Sequence, residues 1–294
     1  MIQLCGDPLV VGNRPGERRR VDWIRSGEWL ETQDITLPMM PARATEVMRL
    51  AMDPEVSAGR IAIVVSKDQV LVSLVLRLAN SAFSAPASEI TSISDSIVRV
   101  GTRAVRNVVV ASRLASRLKD PQIYGAHGAA LTDHSIGTAY LARLIAEQAG
   151  ESPDEAFLYG LLHDVGKLLI LKLARDPSLR NGAPASDEET NALIVESHAE
   201  FGGYLLEQWK LPAHLYDPVV WHHHPERAEM NPRAACVAYA ANGFAHRYGF
   251  GCPPDEFNPL SDPVCANLGF DAVRLEEMDA RAPELFAVAR QIIR

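Results

Sequence analysis

The chain has 294 residues, and its 37 Asp and Glu outweigh 29 Lys and Arg to leave a formal charge of −8. With 47% hydrophobic and 22% charged residues the composition is globular, which excludes disordered, collagen-like and fibrous classes. An acidic balance also disfavours a protein whose main task is coating nucleic acid or anionic lipid, because phosphate binding needs dense positive charge.

Residues 1–34 form an N-terminal arm without a sustained period, containing Gly6, Pro8, Gly12, Pro15 and Gly16 and the basic triplet Arg18, Arg19 and Arg20. From about Leu37 the pattern turns helical. Ala44, Val47, Met48 and Ala51 share one face of a helix over 42–52, which Asp53-Pro54 ends. Ser57 is read as the cap of a short helix through Ile61, Ile63 and Val64, and Ser66 as the cap of one running from Val70 to Asn80. The SAFSAP stretch at 81–86 breaks the pattern, and Ser92 to Val100 and Thr102 to Leu118 follow as helices parted by Gly101. Arg103, Arg106, Arg113 and Arg117 make a basic stripe on the second of these, read as a solvated amphipathic face.

After Asp120-Pro121 and a Gly/Ala-rich joint, Thr132 or Asp133 is read as the cap of a helix through Gln148, with Gly150 as its stop. Ser152-Pro153-Asp154-Glu155 carries the signature of a capping box, and the helix it opens carries Phe157, Leu161, Leu162, Val165 and Leu168. Residues 175–189 read as a loop holding Asp176-Pro177, Asn181-Gly182 and Pro184. Helices resume over about 190–210, 212–222 and 232–247, and one or two more close the chain over 271–294. No strand alternation and no internal repeat appears, so an all-α fold is expected.

The four cysteines, Cys5, Cys236, Cys252 and Cys265, form no CxxC pair and read as reduced thiols of a cytoplasmic protein. No apolar run is long enough to span a bilayer, and the N-terminus does not have the form of a secretory signal.

The histidines are the informative feature. His134, His163, His198, His222, His223 and His224 fall at the starts or interiors of successive helices, and Asp164 follows His163. A helical bundle builds a metal site in this way, each helix giving one or two inward ligands. Imidazole suits Zn, Fe and Ni, and a carboxylate adds affinity for Mn. Neighbouring residues on a helix point about 100° apart, so His163 and Asp164 reach one ion only near a seam between helices. Lys167 lies four residues after His163 and could neutralise phosphate oxygens.

These residues resemble the HD superfamily of metal-dependent phosphohydrolases, through His134, the LLHDVGK segment (161–167), His198 and His222-His223. Within it the chain resembles the HDOD domain (HD-related output domain) of bacterial signalling proteins. The further matching segments are LPMMP (37–41), LRLANSAF (76–83), ITSISDSI (90–97), VGTRAVRN (100–107) and VVWHHHP (219–225). The resemblance implies one HDOD domain over 35–247, with an N-terminal helical part (35–120) packed on an HD-like bundle (121–247), then a C-terminal extension (248–294). It implies a divalent metal (Fe, Mn, Zn or Ni) at His134, His163, Asp164, His198, His222 and His223. Catalytic HD enzymes complete the site with an Asp on a later helix; the matching position here is Asn242. The Gly-Tyr-Pro segment of the branch that hydrolyses cyclic di-GMP is replaced after His223 by His224-Pro225-Glu226.

The resemblance and Asn242 together favour a non-catalytic signalling module that acts through signalling proteins or by sensing a ligand such as a nucleotide. The alternative is a metal-dependent phosphohydrolase or phosphodiesterase on a nucleotide, with Lys167 as a catalytic residue. A nucleic-acid regulator working through Arg18–Arg20 and the Arg103–Arg117 stripe is the weakest reading.

Overall fold

The computed structural model describes residues 42–293 apart from 54, 82–85, 87–88, 126 and 177–182. The arm over 1–34, the segment 37–41, Cys5, most of the 81–86 break, Phe83 and the Asn181-Gly182 turn lie outside the described residues. The described residues are helices joined by turns, with no strand among them. They divide into two compact units, one of 42–117 with 280–293 and the other of 118–279.

The first unit holds α1 (Ala42–Ala51), α2 (Ala58–Val65), α3 (Gln69–Ala79), α4 (Ile93–Val100) and α5 (Thr102–Leu118). Its core includes Val47 and Met48 of α1 and Ile61 and Val64 of α2, as expected, together with Val65 of α2, Leu71 and Val75 of α3 and Ile97 of α4, whereas Ile63 is exposed. Ser57 caps α2 as expected, its Oγ accepting the Arg60 N–H. The cap of α3 is Asp68 rather than Ser66, which ends α2 instead; Asp68 Oδ1 accepts the amides of Val70 and Leu71. Its other oxygen meets the Arg113 guanidinium of α5, a contact Ser66 has no charge to make. Asn80 pins the chain across the break, donating to the Ile90 carbonyl at 2.8 Å and accepting the Ile90 N–H at 2.8 Å. Gly101, at φ +85, parts α4 from α5.

The arginine stripe on α5 is not a solvated face. Arg103 and Arg117 are exposed, but Arg106 is buried with Nε donating to Asn107 Oδ1, and Arg113 is held by Asp68. One or two turns of helix separate successive positions, so the stripe runs from solvent into the unit and out again.

The second unit holds α6 (His127–Ala149), α7 (Pro153–Leu162), α8 (Val165–Ala174), α9 (Asp187–Gln208), α10 (Ala213–Val220), a 3-10 turn (Pro225–Arg227), α11 (Pro232–Arg247) and α12 (Pro263–Asn267). The first residues of α13 (Ala272–Ile293) also belong to it. α6 starts ahead of its expected cap, and the Thr132 hydroxyl donates to the Gly128 carbonyl one turn back within the helix. Gly150, at φ +74, stops it. Ser152 precedes α7 without a side-chain cap bond, so Pro153 at the first helical position carries the start. The capping box forms instead at α9, between Ser186 and Glu189.

The run expected as one helix from Phe157 to Leu168 is two. α7 ends at Leu162, His163 and Asp164 form a turn, and α8 starts at Val165. α8 meets α9 with almost no space between backbones: a Cβ on Gly166 would stand 1.9 Å from the His198 carbonyl oxygen.

Candidate metal centre

Each element of the second unit brings one part of the site. α6 carries His134, the α7–α8 turn carries His163 and Asp164, α8 carries Lys167, and α9 carries His198. His222 and His223 follow the end of α10, and α11 carries Asn242. The break at His163–Asp164 lets adjacent residues serve one centre, which a continuous helix would have turned apart.

Main-chain carbonyls fix the imidazoles. The Nδ1 atom of His134 lies 3.1 Å from the Phe250 carbonyl oxygen, that of His163 2.8 Å from Gly160, that of His198 2.6 Å from Ile194 and that of His222 2.6 Å from Val219. A carbonyl can only accept, so each Nδ1 carries a proton, and in the neutral ring each Nε2 presents a lone pair. Histidine ligands are held in this way in metal sites. Burial lowers the His134 pKa to about 3 and pushes His222 well below its usual value, so both are neutral and able to ligate.

The Nε2 atoms converge. His134 and His163 are 3.2 Å apart, His198 and His222 3.3 Å, and His223 and His198 3.0 Å. Two nitrogens bound about 2.1 Å from one ion stand roughly 3.0 Å apart at a right angle and roughly 3.4 Å at the tetrahedral angle. The observed spacings match that interval, and facing lone pairs at such distances repel unless a cation or a shared proton lies between them. The donor set therefore fits a divalent ion.

Asp164 links two donor groups, His134 with His163 and His198 with His222 and His223. Its Oδ2 lies 2.9 Å from Lys167 Nζ, 3.4 Å from His163 Nε2 and 3.5 Å from His134 Nε2, while Oδ1 lies 3.4 Å from His198 Nε2. Burial alone would push this carboxyl up; the facing His163 imidazole and the Lys167 ammonium outweigh it and hold the group well below the usual carboxylate range. Asn242, fully buried, sets Oδ1 3.0 Å from His134 Nε2. His163, Asp164, Lys167 and His222 are also 0% exposed, and His223 is half-buried.

His224 is not brought in; it faces Glu226 at the surface. Two participants had no signal in the histidine pattern. Phe250 supplies the carbonyl that sets His134, and Gly251, at φ +76, lets the strap after α11 lie against α6, where a Cβ would stand 2.1 Å from the Ala130 oxygen. The His246 ring packs 4.9 Å from that of His134.

The family model of the HDOD domain matches residues 37–225, more than half of the chain. The chain belongs to the HDOD family. An HDOD domain protein of unknown function from Geobacter sulfurreducens superimposes with a TM-score of 0.70 at 25% identity, covering 90% of this chain and 96% of that one. A Shewanella amazonensis protein described provisionally as a phosphohydrolase gives a TM-score of 0.66 at 25% identity, covering 92% of this chain and 99% of that one. A Treponema pallidum (strain Nichols) protein, described only as uncharacterized, is 27% identical over 219 residues, 69% of this HDOD chain and 41% of its own length. Ribonuclease Y of Fervidobacterium nodosum is 30% identical over 146 residues, 50% of this chain and 23% of the enzyme. The chain thus spans less than half the length of these two relatives. No helix among the described residues is long and apolar enough to cross a membrane.

Proposed function

We propose that this HDOD chain is a non-catalytic regulatory module of bacterial signal transduction, in the cytoplasm, with an HD-type pocket that holds a divalent ion in a closed site and outer surfaces that engage signalling proteins. Either donor group around Asp164 would hold an ion, with Fe, Mn, Zn or Ni compatible with imidazole and carboxylate donors. A bound ion would supply Lewis-acid charge and a more acidic bound water.

Burial of the site residues is the observation that carries the reading. A catalytic ion keeps one coordination position for water or substrate, whereas a structural site is closed. Here His163, Asp164, Lys167, His222 and Asn242 all have 0% exposure, so none of them faces solvent where a nucleotide phosphate would arrive. Lys167, expected to steady a phosphate, is engaged with Asp164. Asn242 puts a neutral amide where a carboxylate would add a negative charge, so the donor set holds a divalent ion less tightly there.

The second reading is a metal-dependent phosphodiesterase acting on a nucleotide, favoured by the similarity to ribonuclease Y across half of the chain. Chelator-stripped protein reloaded with Mn, Fe or Zn and assayed on bis-p-nitrophenyl phosphate and on cyclic dinucleotides separates the two. Metal uptake without turnover is expected. Metal-dependent turnover that disappears in Asp164→Ala would overturn the non-catalytic reading.

A further inference from the structure

We infer that Asn242 withdraws His134 from metal binding, so that the ion sits on the side of the pocket formed by His198, His222, His223 and the Oδ1 oxygen of Asp164. This rests on the reading that the pocket holds an ion, and it selects one of the two donor groups.

Donor and acceptor roles at His134 carry the first part. Its Nδ1–H is committed to the Phe250 carbonyl, so in the neutral ring Nε2 can only accept. The atom of Asn242 facing it at 3.0 Å is Oδ1, also an acceptor, while Asn242 Nδ2 is fully buried with no hydrogen-bond partner. A half-turn of the amide removes the acceptor–acceptor contact and satisfies the donor: Nδ2 donates to His134 Nε2, and the carbonyl oxygen, less costly to leave unpaired than an N–H, takes the partnerless position. The lone pair that would have met a cation is then occupied by an N–H. An Asp at this position could not do this; it would present oxygen to His134 and call for a cation between them.

Charge carries the second part. On the His134–His163 side, the Asp164 oxygen is Oδ2, and Lys167 Nζ already stands 2.9 Å from it. A divalent ion there would share that oxygen with an ammonium in a fully buried setting, where like charges repel strongly. On the other side Oδ1 is 3.4 Å from His198 Nε2, and the His198, His222 and His223 Nε2 atoms have ligand-like spacings of 3.0 and 3.3 Å. The short Nδ1 bonds of His198 and His222 to Ile194 and Val219 hold both lone pairs toward that point.

The test is Co2+ titration of the metal-stripped full chain, followed by d–d absorption. Wild type is expected to take one ion. His134→Gln should leave its affinity within about threefold, whereas His222→Gln should weaken it about 100-fold or more, beyond the roughly 10–100-fold of an outer-sphere change. Asn242→Asp should admit a second ion. Equal losses in His134→Gln and His222→Gln would overturn the inference. A measurement on unmutated protein guards against misfolded variants: on adding Zn2+, the 15N resonances of His198 and His222 Nε2 should move while that of His134 Nε2 stays. A His134 shift of ligation size would also overturn it. Absence of any Co2+ uptake by wild type would defeat both the inference and the ion-holding reading. Failure of the non-catalytic reading alone shows as phosphodiester turnover, a separate signal.

Discussion

Gly251 shows how much of the centre rests on residues without reactive side chains. Its φ of +76 is a conformation that L side chains rarely adopt, and a Cβ there would stand 2.1 Å from the Ala130 oxygen and 2.7 Å from the His134 nitrogen. Gly251→Ala is therefore expected to lose roughly 2–4 kcal/mol, from backbone strain and overpacking together. It should also loosen the Phe250 carbonyl from His134, which urea unfolding and the His134 15N shifts would read; a loss below about 0.5 kcal/mol would contradict this. At the same scale the six candidate ligands could be named from sequence because imidazoles and a carboxylate bear their chemistry in the residue type. The Phe250 carbonyl could not, since every residue has one and only the fold aims it. The Asn242 position was legible as a departure from the family pattern, but its contact with His134 was not.

Helix by helix, the sequence is clearest where one face is apolar and the other polar. α1 is such a case, its buried Ala44, Val47, Met48 and Ala51 following the expected spacing. From Ala156 to Leu171 every residue is buried, so no polar face marks the period and nothing in the pattern reveals the turn at His163–Asp164. Start signals were misplaced where a tertiary partner decided the cap, as Arg113 does for Asp68. Asp68 also gives a pH expectation. Burial pushes its carboxyl up, but the Leu71 and Val70 amides and the Arg113 charge more than reverse this and leave it below its ordinary value of 3.8. A lowered carboxyl stabilises the fold fully above the ordinary value and loses that contribution as pH falls through the folded one. The stability gap between wild type and Asp68→Asn should thus be constant at neutral pH and shrink below the ordinary carboxylate range; a gap independent of pH would refute it. Asp68→Ala removes the cap as well and is expected to cost a further ~1 kcal/mol. Where α8 crosses α9, Gly166→Ala would place a Cβ 1.9 Å from the His198 oxygen and 2.6 Å from the Gly202 nitrogen. Both neighbours are backbone, so the helices must part. A loss near the upper end of the ~1–3 kcal/mol typical of overpacking is expected, with weaker ion binding because His198 moves from Asp164.

For the whole molecule, the all-helical class and the family were open to a reader of the sequence, because helical periods run through the chain and the HDOD segments occur in order. The charge total of −8 disfavoured a nucleic-acid coat but did not point to the candidate site, whose charges are the buried Asp164 and Lys167. The burial of His163, Asp164, Lys167, His222 and Asn242 was not legible at all; it arises from the packing of α6, α7, α8, α9, α10 and α11, which no single segment encodes. An ion that binds only the folded chain should stabilise it by about 2.7 kcal/mol at a hundredfold excess over Kd, so thermal unfolding should shift upward with added Zn2+ and return with chelator. The most direct test is anomalous diffraction from crystals loaded with Zn2+ or Co2+. The expected result is a single anomalous peak bounded by His198, His222, His223 and Asp164, with no ligand position open to solvent. A peak on the His134–His163 side would contradict the assignment of the ion to the His198 side, and a solvent-facing coordination site would contradict a closed, non-catalytic centre.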